Sequence, residues 1–169
     1  MKSLAAGLAI ALFALAGCAS KKVVGPSVDG SGFLTIQTEQ TEYSWSSDPQ
    51  EWLGVNATIH NNSDRTFYAS IGDRMYSSLD QELLYFGDNA DATIEKRVTP
   101  ESWAPVRTGP LIEGAGVIAI RPGQTYSLTG NLAPRSVGTH RIRLDFTDQP
   151  EIVPGRKTYR EVSNSFAIR

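Results

Sequence analysis

From residue 33 onward, apolar and polar residues alternate in short runs separated by turn signals. In the run LGVNATIHN (53–61) the apolar residues occupy every second position, namely Leu53, Val55, Ala57 and Ile59. Such alternation predicts half-buried β-strands, because successive side chains of a strand point to opposite faces. The next residues, NNSDR (61–65), favour a turn. With the alternating run that follows them, they predict a β-hairpin.

The last third of the chain repeats this pattern. Pro122 and Gly123 predict a turn between two strand-like runs that form a pair. In GTHRIRLDF (138–146), His140 is in phase with apolar residues, and Arg141 and Arg143 point outward. The final run alternates around residues 163–164, which predicts a bulge in a last strand. Residues 72–116 are less regular, and prolines within them favour loops or edge strands.

Seven to eight strands and no long helix predict an all-β protein, an antiparallel β-sandwich over residues 33–169. The motifs RPGQTYSL, GTHRIRL and VSNSF are similar to those of bacterial immunoglobulin-like domains. This resemblance implies an immunoglobulin-like β-sandwich, with His140 at a position where such domains often carry a tyrosine. Two segments, NNSDRTFY and RPGQTYSL, also resemble the small sandwich domains of bacterial proteinase inhibitors.

The chain begins with Lys2 and a run of about a dozen apolar and small residues, which is too short to cross a hydrocarbon core that needs about 20. A basic start, a short apolar run and small residues after it predict a secretory signal peptide over residues 1–17. The tetrad that ends at Cys18, LAGC, resembles the lipobox of bacterial lipoproteins. The resemblance implies cleavage before Cys18 and acylation of this cysteine. Residues 18–32 then form the lipidated cysteine and a flexible linker that reaches about 20 Å.

The resemblance to a lipobox implies that the protein belongs to the bacterial cell envelope and is held at a membrane by its N-terminal lipid. In lipoproteins an aspartate after the cysteine favours the inner membrane, whereas Ala19 and Ser20 follow Cys18 here. The resemblance therefore implies the outer membrane, with the domain facing the periplasm. Since Cys18 is the only cysteine and is predicted to carry lipid, the sandwich is expected to fold without a disulfide.

Charge and chemistry exclude several classes of function. Removal of residues 1–17 takes away Lys2 and leaves 15 basic against 18 acidic residues, which is no signature of nucleic-acid binding. Two isolated histidines and the absence of a Gly-x-Ser-x-Gly motif argue against a hydrolase. The same two histidines, without a free cysteine, are too few for a zinc site. We therefore expect no enzyme activity, no cofactor and no bound metal.

Two features suggest binding. Trp45 and Trp52 flank a polar segment, and aromatic rings in a loop can stack on sugars; the alternative is that Trp52 only caps the sandwich. Arg141 and Arg143 can form an outward basic stripe for an anionic partner. Two more arginines, Arg160 and Arg169, would extend this stripe if the last two strands pair. The alternative is a solvated face whose charges are balanced by Asp145 and Glu161.

Together these observations predict a membrane-anchored envelope lipoprotein that acts as a non-enzymatic binding or accessory module. Its partner would be another envelope protein or a cell-wall glycan. The alternative function is a protease inhibitor that presents a loop, within residues 99–112, from a β-sandwich. Pro100, Pro105 and Pro110 would stiffen that loop.

Overall fold

The structure is a computed structural model that describes residues 27–45, 51–76, 82–85, 91–108, 116–133, 136–151 and 157–169. These residues contain thirteen strands and no helix, and so none that could cross a membrane. The strands are β1 (Ser27–Asp29), β2 (Leu34–Thr38), β3 (Glu42–Tyr43), β4 (Leu53–Asn61), β5 (Phe67–Tyr76), β6 (Glu82–Tyr85), β7 (Ala92–Arg97), β8 (Trp103–Pro105), β9 (Gly116–Ile120), β10 (Thr125–Leu132), β11 (Gly138–Phe146), β12 (Thr158–Val162) and β13 (Phe166–Ile168).

The strands form two sheets. In the first sheet β11 is central, with β7 along one edge and β12 followed by β13 along the other. β1 pairs with β12 and β3 with β13, both in parallel, and β8 pairs with β7. The second sheet has the order β2-β4-β10-β6-β5-β9. Apart from β1–β12, β3–β13 and β6–β10, the pairs are antiparallel, which confirms the predicted antiparallel sandwich.

The core lies between the sheets and is filled by the side chains that the alternation places inward. Most of the apolar residues in phase on β4 and β11 are buried, including Val55, Ala57, Ile59, Ile142, Leu144 and Phe146. At one end four rings pack together with centroids 5.1 to 5.7 Å apart, those of Phe33, Phe67, Phe146 and Tyr159. We call this the aromatic end. Stacked and edge-on rings at such distances add to the stabilisation that burial provides.

The predicted bulge is present and divides the last strand into β12 and β13. Arg143 pairs with Val162 and His140 with Phe166, so three steps along β11 correspond to four along its partner. Ser163 fills the gap, since its N–H donates to the carbonyl of Ile142 at 2.8 Å and its Oγ accepts from Ile142 N at 2.9 Å. Four of the thirteen strands, including β13, have only two or three residues, and they account for most of the excess over the seven to eight predicted.

The predicted hairpin over residues 53–71 is wrong, because β4 pairs with β2 and β10, and β5 pairs with β9 and β6. The connection between them is instead held by the buried side chain of Asn61. Its Oδ1 accepts from Ser63 N at 2.9 Å, and its Nδ2 donates to the carbonyls of Arg65 at 2.7 Å and Ile120 at 2.9 Å. The chain therefore crosses to new neighbours instead of folding back on β4.

The predicted strand pair around residues 122–123 is also wrong. The turn itself is present, and Gly123 takes the left-handed conformation with φ +67° that glycine tolerates best. However, β9 pairs with β5, whereas β10 pairs with β4 and β6. The turn thus connects two strands that are not neighbours.

The predicted linker is too long at its C-terminal end. Residues 27–29 are β1, and beyond them Ser31 Oγ and Gly32 N each donate to the Glu161 carboxylate at 2.6 Å. Glu161 lies in phase with Tyr159 and is buried, so it cannot balance the outer face as the sequence suggested. Residues 27–32 therefore belong to the sandwich and not to the linker. The signal peptide 1–17 and Cys18 lie outside the described residues.

Candidate functional site

Trp45 and Trp52 lie together at the end of the sandwich opposite the aromatic end. They contribute to one cavity of about 240 Å³, which we call the tryptophan cavity. The described residues that line it are Ser44, Trp45, Glu51, Trp52, Leu53 and Gly54. The structure thus brings together the two tryptophans that the sequence suggested as ligand-binding residues. Residues 46–50 between them lie outside the described residues.

The wall formed by Trp45 is built on the end of β3. Trp45 N donates to the carbonyl of Arg169 at 3.1 Å, and its indole packs against the core. Just before it, Tyr43 is buried edge-on against Phe166, with ring centroids 5.3 Å apart. Burial raises the pKa of the Tyr43 phenol, whose O–H donates to the carbonyl of Asn56 at 3.2 Å. Trp45 is therefore fixed on a well-packed support.

Another part of the lining comes from the start of β4 and the two residues before it. Leu53 packs against the core, whereas Trp52, one residue earlier, is half-buried and Glu51 is exposed. The indole Nε1 of Trp45 is buried and has no hydrogen-bond partner among the described residues. Two indole rings, one carboxylate and one hydroxyl make a site that can hold a compact ligand with apolar faces and polar edges.

The tryptophan cavity and the start of the ordered domain lie at opposite ends of the first sheet. Ile168, next to the Arg169 carbonyl that holds Trp45, pairs with Gly138 at the beginning of β11. Tyr159 pairs with Phe146 at the end of β11 and with Val28 of β1. β11 has nine residues, so the two ends are about 27 Å apart.

Arg141 and Arg143 are found where the sequence predicts them, on the outer face of the first sheet. They belong to a row of alternating charges, which we call the charged row: Arg141, Glu95, Arg143, Asp145, Arg160 and Asp29. The row crosses β7, β11, β12 and β1. At its first member, the guanidinium of Arg141 lies 4.3 Å from the ring centroid of Trp103, in a cation–π contact.

Glu95 is the central anion of the charged row. Its side chain is only 5% exposed, and its carboxylate accepts from Arg141 Nε at 2.9 Å and from Arg143 Nη1 at 2.7 Å. Farther along, Arg160 Nε donates to Asp145 at 2.7 Å, and this bond is the largest cause of a raised pKa of the Arg160 guanidinium. Three cations thus meet three anions.

The predicted basic stripe is therefore wrong in its electrostatics, although Arg141, Arg143 and Arg160 do share one face. Arg169 is not part of the row, since its Nη2 lies 3.2 Å from Glu42 Oε2 at the other end of the sheet. Paired opposite charges leave little net field to attract an anionic partner. Sequence reasoning missed Glu95 because it lies on β7, whose register against β11 cannot be deduced from periodicity.

His140 is completely buried and makes two hydrogen bonds. Its Nδ1 lies 3.0 Å from the carbonyl of Gly138, and its Nε2 lies 2.9 Å from Ser136 Oγ. This arrangement fits a neutral ring that donates from Nδ1 and accepts at Nε2. Burial lowers the pKa of the imidazole, and the charge of Lys96 lowers it further. Within the described ranges, no three His, Cys, Asp or Glu side chains are grouped to hold a metal ion.

The described residues thus form a β-sandwich of two mainly antiparallel sheets. No protein-family model matches the chain, and no curated protein is significantly similar to it. Among solved structures, the chain is similar to the PapD-like domain 7 of human CEP192, with 12% identity and a TM-score of 0.31 over 80% of this chain and 87% of that one. It is also similar to the reeler domain of human F-spondin, with 13% identity and a TM-score of 0.34 over 89% of this chain and 99% of that one. A β-glucosidase from Listeria innocua has 14% identity and a TM-score of 0.28 over 79% of this chain and 16% of its own.

Proposed function

We propose that the protein is a lipid-anchored, non-enzymatic binding module of the bacterial cell envelope, and that its ligand is a cell-wall glycan held in the tryptophan cavity. The observation that carries this proposal is that Trp45 and Trp52, separated along the chain, line the same cavity of about 240 Å³. Indole rings offer flat apolar surfaces, and the adjacent Ser44 and Glu51 offer polar groups to sugar hydroxyls. The cavity therefore offers both an apolar surface for the face of a sugar ring and polar groups for its hydroxyls.

The position of Ser27 supports an orientation of the domain in which the tryptophan cavity faces away from the membrane. A lipid on Cys18 would hold the domain through residues 19–26, which span at most about 30 Å when fully extended. That tether joins the sandwich at Ser27, at the aromatic end, about 27 Å from the tryptophan cavity. An anchored domain can therefore direct the cavity away from the bilayer. The residues after Cys18 favour the outer membrane, where such a cavity would face the periplasmic cell wall.

The alternative of a protease inhibitor has less support from the structure. An inhibitory loop must stand free in solution, yet Trp103–Pro105 form β8 and pair with β7. Val106 also packs against the core, and its N–H donates to the carbonyl of Ile94 at 3.0 Å. The described part of the proposed loop, residues 99–108, is therefore tied into the first sheet over much of its length.

The binding proposal is tested by titrating the mature protein with soluble cell-wall glycan fragments while tryptophan fluorescence is recorded. We expect saturable binding that is weakened at least tenfold, or about 1.4 kcal/mol, by Trp52→Ala. Trp52 is the better residue to change, because Trp45 also supports the core. Trp103→Ala serves as the matched control, since Trp103 lies on the outer face beside Arg141.

Absence of binding, or equal losses in the Trp52 and Trp103 variants, would refute the glycan site. In that case crosslinking in intact envelopes would examine the other predicted partner, an envelope protein. The anchor is tested separately by the intact mass of protein from membranes. For the wild type we expect a chain that starts at Cys18 and whose mass exceeds that of the polypeptide by the mass of the lipid. For Cys18→Ser we expect neither cleavage before residue 18 nor lipid.

A further inference from the structure

We propose that the tryptophan cavity prefers a sugar residue that carries a protonated amino group, and that Glu51 determines this preference. This inference rests on the proposed glycan-binding function and names the chemical class of the sugar. It is carried by the size of the cavity, by the electrostatic character of its lining and by the position of one carboxylate.

The size of the cavity suits a small ligand, such as one sugar ring. A volume of about 240 Å³ is below the range of about 300–1,000 Å³ that is typical of sites for drug-sized ligands. The cavity is therefore suited to one monosaccharide unit of a longer glycan, with the rest of the glycan outside. The substituents of that unit then lie against the lining of the cavity, which can select among them.

The lining favours positive charge. The faces of indole rings carry negative electrostatic potential and attract cations, with a gain of about 0.5 kcal/mol at exposed sites to 2 kcal/mol or more at dry ones. Trp45 and Trp52 supply two such rings, and Glu51 supplies a carboxylate. The other described lining residues, Ser44, Leu53 and Gly54, are uncharged. The carboxylate and the indole rings therefore both favour a positively charged ligand.

Glu51 is available for this role. It is exposed, and the described residues give it no ion-pair partner. Glu42, at the same end of the sandwich, differs from Glu51 in both respects. It is paired with Arg169 at 3.2 Å, and it is not among the described residues that line the cavity. An ammonium group in the cavity could therefore approach Glu51 without displacing a cation, whereas a carboxylate or phosphate on the sugar would be repelled.

The test compares two probes that differ in charge at one substituent. A glucosamine tetramer and an N-acetylglucosamine tetramer are titrated into the mature protein below neutral pH, where the amines are protonated. We expect the glucosamine tetramer to bind about tenfold more tightly, and this preference to shrink at high salt. Glu51→Gln should abolish the preference, and the matched control Glu42→Gln should keep it. Circular dichroism and thermal midpoints verify that both variants fold.

Each outcome has a separate meaning. Binding of both tetramers with equal affinity, or a preference that persists in Glu51→Gln, refutes the role of Glu51 and leaves the glycan-binding function in place. Tighter binding of the N-acetylglucosamine tetramer also refutes the preference for an amino sugar, and it leaves the glycan-binding function in place. If neither tetramer nor any cell-wall fragment binds the wild-type protein, both the preference and the proposed function are wrong.

Discussion

Replacement of Glu95 by glutamine is the sharpest test of the charged row. The change keeps the shape of the side chain but removes the charge that faces two guanidinium groups. Glu95 accepts from Arg141 Nε and Nη2 at 2.9 and 2.8 Å and from Arg143 Nη1 at 2.7 Å. The amide of glutamine has one acceptor oxygen in place of two, and its NH₂ group would face one of the arginines. The row would also gain a net positive charge.

The expected cost follows from the burial of each partner. Removal of one member of a buried ion pair costs about 3–5 kcal/mol, because it leaves a charge without compensation. Here Glu95 is 5% exposed, but the side chains of Arg141 and Arg143 are 24% and 26% exposed, so water can solvate part of each guanidinium. We therefore expect the free energy of unfolding to fall by about 2–3 kcal/mol, below the full cost of a buried pair.

Urea unfolding measures this difference. With a slope near 2 kcal/mol per molar urea, the midpoint of Glu95→Gln should fall by about 1–1.5 M. Asp29→Asn is the matched control at the end of the row, since Asp29 is 68% exposed and lies 3.5 Å from Arg160. Its free energy of unfolding should change by less than about 1 kcal/mol. If Glu95→Gln and Asp29→Asn lower the midpoint equally, solvent screens Glu95 and the reasoning from burial is wrong.

Two further predictions concern buried polar side chains. Since burial lowers the pKa of His140, its contribution to stability is complete above the ordinary value of about 6.5 and is lost as the pH falls through the folded-state pKa. Urea midpoints of the wild type should therefore decline with acidification below about pH 6.5 more steeply than those of His140→Gln, and parallel curves would contradict this. Asn61→Ala should lower the free energy of unfolding by about 2–3 kcal/mol, because buried partners such as the carbonyl of Ile120 lose their bonds. Asn62 is the matched control, because its side chain is exposed and donates to Thr35 Oγ1 at 2.8 Å. Asn62→Ala should lower the free energy of unfolding by less than about 1 kcal/mol, and equal losses in the two variants would show that burial is not the cause.

The sequence predicted which side chains face inward better than it predicted which strands pair. A period of two residues is set within a single strand, so the inward faces of β4 and β11 could be recognised from their own residues. Pairing depends on contacts far along the chain. The turn at Asn61 illustrates this, because its side chain also bonds the carbonyl of Ile120, fifty-nine residues away. A local turn signal cannot distinguish a hairpin from a crossover to other strands.

The candidate site shows the same limit. Trp45 and Trp52 could be selected from the sequence as aromatic residues beside a polar loop, and the structure places them in one cavity. The outward positions of Arg141 and Arg143 could also be predicted. The anion between them could not, because the pairing of Arg141 with Glu95 joins residues forty-six positions apart. The role of these two arginines therefore depends on the register of β7 against β11, which the alternation of apolar and polar residues does not reveal.

The parallel pairing of β1 with β12 determines how the domain would respond to mechanical force. A domain anchored at Cys18 and bound to the wall through the tryptophan cavity would be pulled at opposite ends, along the strand direction. The load would then act on β1 in shear, so the hydrogen bonds between Ser27–Asp29 and Thr158–Arg160 would share it instead of opening one after another. The contacts of Ser31 and Gly32 with Glu161 would reinforce this attachment. The short first strand would thus serve as the mechanical clamp between the lipid and the fold.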